Sequence, residues 1–338
     1  MPAEIILITV EVVEIINIIK RICAASVTSA VLFSSFCTEA FAEYKKWVDF
    51  TPTAAAIVEA AEEDISSHDG ETPVSMCALL ALYASRKGGD FSHYKRGDIS
   101  SIAKECAGVD PGALAENSKL YEYYESCYLA ALSGVVGNRT VYTANADGTY
   151  TAEHGYGYTV YSPIADGYYY SHYDDFGASR SFGYKREHLG HDLMGSVGTP
   201  IIAVESGWVE ACGWNRFGGW RIGISSYDGK RYYYYAHLRR DHPYNNMYEG
   251  KEVYAGEVIG YLGMTGYSSK ENVNNINVPH LHYGLELIFD KSQKDGNNQI
   301  WLDMYALTDF LFRHRAPTAS RDGERYSLSY CVPDNVPD

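Results

Sequence analysis

The residues best suited to do chemistry are histidines. Nine of the eleven follow residue 150, several in short patterns: His188-Leu-Gly-His-Asp192, Tyr235-Ala-His237-Leu238 and Pro279-His280-Leu-His282. Neutral imidazole ligates metals and, with a reference pKa of about 6.5, exchanges protons near neutral pH. Positions i and i+2 of a strand face the same way, so His280 and His282 would present two imidazoles to one site. His188 and Asp192 flank Gly190, whose backbone freedom permits a turn that aims both side chains inward. Two histidines and a carboxylate, with a fourth position left to water, make a catalytic zinc arrangement. A second His-x-x-x-Asp pair, His237 and Asp241, has the same spacing, and spacing alone does not choose between the two.

The elements that must position these groups change along the chain, and the pattern predicts an α+β protein: an N-terminal helical region followed by a mainly antiparallel β domain with a groove. Residues 43–135 read as helical, with segments at 54–65, 74–85, 99–106 and 114–132. The second ends at Gly88-Gly89. No catalytic constellation shows there, and a wall-binding, dimerising or inhibitory role fits equally well. Residues 136–154 read as a linker or the start of the β region. From there short Tyr/Val/Ile runs alternate with Gly turns, the spacing of antiparallel strands. Residues 300–312 read as a terminal helix closing a domain over 155–312, and the polar tail 313–338 reads as loose.

Composition narrows the function. The 338 residues carry 43 acidic and 28 basic side chains, a formal charge of −15. This argues against non-specific nucleic-acid binding, which needs a positive surface. Seven Cys in so long a chain do not make a disulfide scaffold. The absence of a CxxC pair argues against a thiolate metal site, leaving buried thiols with at most one bridge. Near the N-terminus, Lys20-Arg21 precede a short apolar run and Ala40-Phe41-Ala42, the pattern of a secretory signal over residues 1–42. The expectation is an exported, extracellular protein, membrane-anchored only if the segment is not cleaved.

Residues from about 155 to 290 resemble the lysostaphin-type (M23, LytM-like) zinc endopeptidases of peptidoglycan. The resemblance rests on Phe182-Gly183-Tyr184, His188-x-x-x-Asp192, Gly198-Thr199-Pro200, Ser206-Gly207-x-Val209, Tyr235-Ala236-His237-Leu238, Gly263-x-Thr265-Gly266 and Pro279-His280-Leu281-His282. It implies one zinc ion per chain, held by His188, Asp192 and His282. It also implies a catalytic pair, His280 as base and His237 orienting water or stabilising the oxyanion, and it assigns Asp241 to the surface. The partner it implies is a peptidoglycan stem or cross-link peptide. A non-catalytic scaffold or activator of this type, or a wall-binding protein, is the alternative, and the filling of all five positions favours the enzyme. Residues 268–278 are longer and richer in Asn than the family's usual link, which points to an altered groove wall. His191 is expected to be structural or solvent-facing. Tyr184 is a candidate substrate donor, and strand alternation back from His237 adds Tyr235 and Tyr233 as candidate groove residues.

Overall fold

The computed structural model describes residue 45, residues 47–294 and residues 298–334. The expected secretory segment lies outside them. Four helices open the fold: α1 (Ala54–Ser67), α2 (Met76–Lys87), α3 (Asp98–Glu105) and α4 (Ser118–Leu132). Thr53 caps α1 by accepting from the Ala56 amide, and α2 ends where Gly88 takes a left-handed φ of 63°. The expected helix over 114–132 is shorter. A 3-10 turn at Pro111–Leu114 precedes it, and Asn117 starts α4 by accepting from the Leu120 amide.

Strands follow as β1 (Val136–Ala144), β2 (Tyr150–Tyr158), β3 (Ser179–Arg180), β4 (Arg186–Glu187), β5 (His191–Met194), β6 (Pro200–Ile202), β7 (Gly207–Asn215), β8 (Gly219–Ser226), β9 (Arg231–Ala236), β10 (Glu252–Val253), β11 (Val258–Tyr261) and β12 (His280–Leu287). After a short turn of helix, α5 (Lys291–Lys294), come β13 (Ile300–Trp301), α6 (Tyr305–Leu311), β14 (Thr318–Arg321), β15 (Glu324–Ser327) and β16 (Ser329–Pro333). The central antiparallel sheet runs β10-β7-β8-β9-β12-β13, with β5 also paired to β12. Its register sets the site: His282 lies opposite Asp192 of β5 on one side and Ala236 of β9 on the other.

The flanks settle one alternative and correct one expectation. Of the two readings of residues 136–154, the start of the β region holds: they build the β1–β2 hairpin. The tail is not loose, because β16 pairs with β1 from Arg139↔Pro333 to Thr143↔Ser329 and buries Cys331. Its polar residues sit on a ladder whose backbone bonds hold it regardless of side chain. The terminal helix is confined to α6, since Ile300–Trp301 pairs with β12. All five described cysteines are free, so no bridge forms among them. Among the described residues no helix is long and apolar enough to cross a membrane.

The helical region shares its core with the sheet: α2 and α4 pack into the same buried cluster as β8, β9 and β12. Arg231, buried on β9, ties the two together. Its Nη1 donates to the Ala130 carbonyl (3.1 Å) and to Ser133 Oγ (2.9 Å) of the α4 end, while Nε and Nη2 grip Glu205 at 2.9 and 3.0 Å.

Candidate metal centre

Three side chains converge at one end of β12. His188 Nε2 lies 2.8 Å from His282 Nδ1 and 3.0 Å from Asp192 Oδ1, and His282 Nδ1 lies 3.1 Å from the same oxygen. They are the group of His, Cys, Asp and Glu side chains among the described residues able to hold a metal ion. Asp192 and His282 meet because the β5–β12 register sets them opposite each other. Gly190 is required for space: a Cβ there would come within 2.5 Å of His282 Cε1. Its φ of 158° is nearly extended, so the expected sharp turn is not its role.

The donor set fits zinc. His188 Nδ1 faces the Asp175 carbonyl (3.0 Å) and the Asp175 carboxylate (3.1 Å), both acceptors, so it carries the proton and Nε2 presents a lone pair. That lone pair points at a carboxylate oxygen and a second imidazole nitrogen. A metal ion seated between these three atoms would take a lone pair from each nitrogen and be balanced by the carboxylate. Zinc bonds of about 2.0–2.1 Å at tetrahedral angles put ligand atoms about 3.3 Å apart, near the separations seen. Burial works against protonation of His188, but its bonds to Asp175 and Asp192 outweigh it and lift the pKa to about 9. The triangle thus attracts positive charge.

A supporting layer that the motifs did not reveal surrounds these ligands. Asp175, with its side chain almost wholly buried, reaches His188 through Oδ2 and His191 Nδ1 through Oδ1 (3.2 Å). Arg180 Nη2 bridges Asp175 (3.1 Å) and the second oxygen of Asp192 (3.0 Å). His191 is buried and also meets His172 Nδ1 at 2.8 Å, the structural alternative of the two expected. Burial raises the Asp175 carboxyl, yet the two histidines hold it well below the usual carboxylate range. Outer carboxylates of this kind fix the tautomer of a ligating imidazole. We expect Asp175→Asn to weaken zinc binding about ten- to hundredfold with the fold retained, measured by competition against a chelating dye.

Two more imidazoles flank the triangle. His237 and His280 lie with ring centroids 4.8 Å apart, and His280 Nε2 is 3.7 Å from Asp192 Oδ1. Each has Nδ1 against a backbone carbonyl at 2.8 Å, Thr265 for His237 and Val278 for His280. A carbonyl only accepts, so both Nδ1 atoms are protonated, and in the neutral ring the lone pair is then at Nε2. The Gly263-x-Thr265-Gly266 motif is the His237 holder: Thr265 supplies that carbonyl, and its Oγ1 donates to the Leu238 carbonyl at 2.6 Å. A Cβ at Gly266 would crowd the Phe217 carbonyl at 2.5 Å. Burial first, then His280 and His282, pushes the His237 pKa down to about 3 and keeps it neutral.

These groups line a groove of about 460 Å³ walled by Tyr173, Arg186, Phe217, Tyr234, Tyr267 and residues 275–278. The Asn-rich loop therefore does form a wall, pinned by Asn272, whose Oδ1 accepts from Trp220 Nε1 and the Asp241 amide at 2.9 Å each. Asp241 is exposed and engaged there, away from the triangle. Two of the three tyrosine expectations fail. Tyr233 and Tyr235 are buried on the other face of the sheet, Tyr233 donating to Glu205 and Tyr235 accepting from the Val204 amide. His237 lies just past β9 with a left-handed φ of 62°, so alternation cannot be counted back through it. Tyr234 takes the groove side instead, its ring 5.9 Å from His282. Tyr184 is 60% exposed and sits edge-on to the groove residue Phe217, at the rim.

Residues 186–295 match the family described as Peptidase family M23. The L-Ala–D-Glu endopeptidase of Bacillus subtilis is 40% identical over 116 residues, 34% of each chain. Lysostaphin of Staphylococcus simulans is 37% identical over 97 residues, 28% of this chain and 17% of its own. The chain thus spans about a third, or less, of these curated relatives. A lytM protein of Ruminococcus gnavus, provisionally assigned as a glycyl-glycine endopeptidase, has a crystal structure that aligns with a TM-score of 0.50 and 22% identity, over 79% of this chain and 91% of that one. This likeness extends across the helical and β regions and shows the shared fold.

Proposed function

Because residues 186–295 form an M23 peptidase domain, we propose that the protein is an exported, zinc-dependent endopeptidase that hydrolyses peptide bonds in the cross-links or stems of bacterial peptidoglycan. The observation that carries this reading is the triangle of His188, Asp192 and His282 with two imidazoles beside it, each with Nδ1 held on a backbone carbonyl and both lining one groove. Zinc held there supplies a Lewis acid for the scissile carbonyl and a water that ionises near neutral pH. His280 accepts the proton of the attacking water at Nε2 and returns it to the leaving amine. His237, held neutral, accepts a hydrogen bond from that water and orients it. It becomes an oxyanion donor only after taking up a proton, which narrows the role the family resemblance implied.

Export is supported by Lys20-Arg21, the apolar run and Ala40-Phe41-Ala42. Such a protein acts outside the cell or at the wall, and stays membrane-anchored if the segment is not cleaved. The reading is tested by zinc analysis together with mass spectrometry of fragments released from purified peptidoglycans of different cross-link types. Wild type should release peptides, His188→Ala should lose zinc and release, and His280→Ala should keep zinc but lose release. Zinc-loaded wild type that frees nothing from any wall would sink the proposal.

A further inference from the structure

One groove cation is not answered by a carboxylate among the described residues. β3 and β4 pair with Arg180 directly opposite Arg186, and like charges facing each other across a ladder repel. Arg180 is neutralised by Asp175 and Asp192. Arg186 is held by uncharged partners: Nη1 donates to the Phe182 carbonyl (3.0 Å) and Nη2 to the Tyr267 hydroxyl (3.2 Å). Its guanidinium lies 5.0 and 5.4 Å from the ring centroids of Phe217 and Tyr267. The Tyr267 ring is itself stacked on Phe182 at 4.7 Å. Glu187 also borders the groove, but among the described residues Arg186 forms no ion pair within 4.0 Å.

A guanidinium offers five N–H donors in a planar fork suited to a carboxylate. Here part of that fork fixes the side chain and the rest faces the groove, half-buried, where water weakens an ionic contact less than at the surface. Aromatic faces and a carbonyl hold the cation in place without cancelling its charge. We propose that Arg186 is a specificity-determining residue that receives a carboxylate of the bound peptide. Peptides with a free carboxylate near the cleaved bond are then preferred over their carboxamide counterparts. This rests on the peptidase reading above and narrows its substrate class.

The test uses the zinc-loaded full chain and two synthetic stem pentapeptides, identical except that the glutamyl α-carboxylate is free in one and a carboxamide in the other. Wild type is expected to favour the free carboxylate by about ten- to hundredfold in kcat/KM, mainly through KM, the range of one charge-assisted hydrogen bond. Arg186→Gln should bring the ratio between the peptides close to one, and Arg186→Lys should keep part of it. Equal handling of both peptides by wild type would overturn the proposal. So would an Arg186→Gln variant that slows both peptides alike with the ratio intact, since the side chain would then only brace the β3–β4 hairpin. Binding of both peptides is measured by calorimetry in a His280→Ala background. If wild type cleaves neither peptide and no wall, the peptidase reading fails, and binding alone decides on Arg186. A carboxylate preference lost in Arg186→Gln supports it, and equal binding overturns it.

Discussion

His282→Ala is expected to lower turnover of a peptidoglycan substrate by at least about a thousandfold and to lose zinc on gel filtration. The variant keeps His188 and Asp192, but two donors hold the ion far less firmly than three converging within 3.1 Å. Losing the metal removes several kcal/mol of transition-state stabilisation, and each 1.36 kcal/mol is tenfold in rate. The comparison that isolates this cause is His280→Ala. His280 lies outside the triangle and holds its own Nδ1 on the Val278 carbonyl. That variant should bind zinc as wild type does and lose only the factor of about 10²–10⁴ that general acid–base catalysis contributes. Dialysis against a chelator followed by zinc should restore wild type and not His282→Ala. A His282→Ala protein that retained both zinc and turnover would remove His282 from the ligand set.

Strand geometry made one pair legible, because it ties spacing to direction, whereas the functional assignment of His188, Asp192 and His237 came from the family resemblance. His280 and His282 share a face of β12, and the register brings Asp192 to His282. The choice between the two His-x-x-x-Asp pairs needed the family resemblance, and the fold agrees with it: Asp241 turns outward to Asn272. Asp175 and Arg180 were not legible, since both reach the site through side-chain contacts that no local period encodes. The tyrosine face was misread for a local reason, the positive φ of His237 that breaks the alternation. The C-terminal strands were missed because they are short and carry no sustained apolar alternation, and their order comes from backbone pairing, β16 to β1 and β14 to β15. The helical pattern of residues 43–135 was readable, but not that its core continues into the sheet.

That continuity leads to a second large effect, on stability: Arg231→Met is expected to cost about 3–5 kcal/mol in urea unfolding. Arg231 is 3% exposed and ties Glu205, Asp228, Ala130 and Ser133 together. Truncating it leaves the Glu205 carboxylate buried without its cation, the costly way to break such a pair, and the Tyr233 hydroxyl alone cannot replace the charge. Replacing both partners, Arg231→Met with Glu205→Leu, should recover most of the loss because no uncompensated charge remains. Turnover of the folded, zinc-loaded Arg231→Met protein should stay near wild type. Arg231 pairs with Leu287 at one end of the β9–β12 ladder, while His282 and Ala236 pair at the other. The His end is held independently by β5, Asp175 and Thr265. A loss below about 1 kcal/mol would mean that the helical region leans on the sheet without supporting it. The expected loss makes that region a buttress for the two strands that carry the histidines, so a catalytic fragment cut from the chain without it should unfold more readily than the full protein.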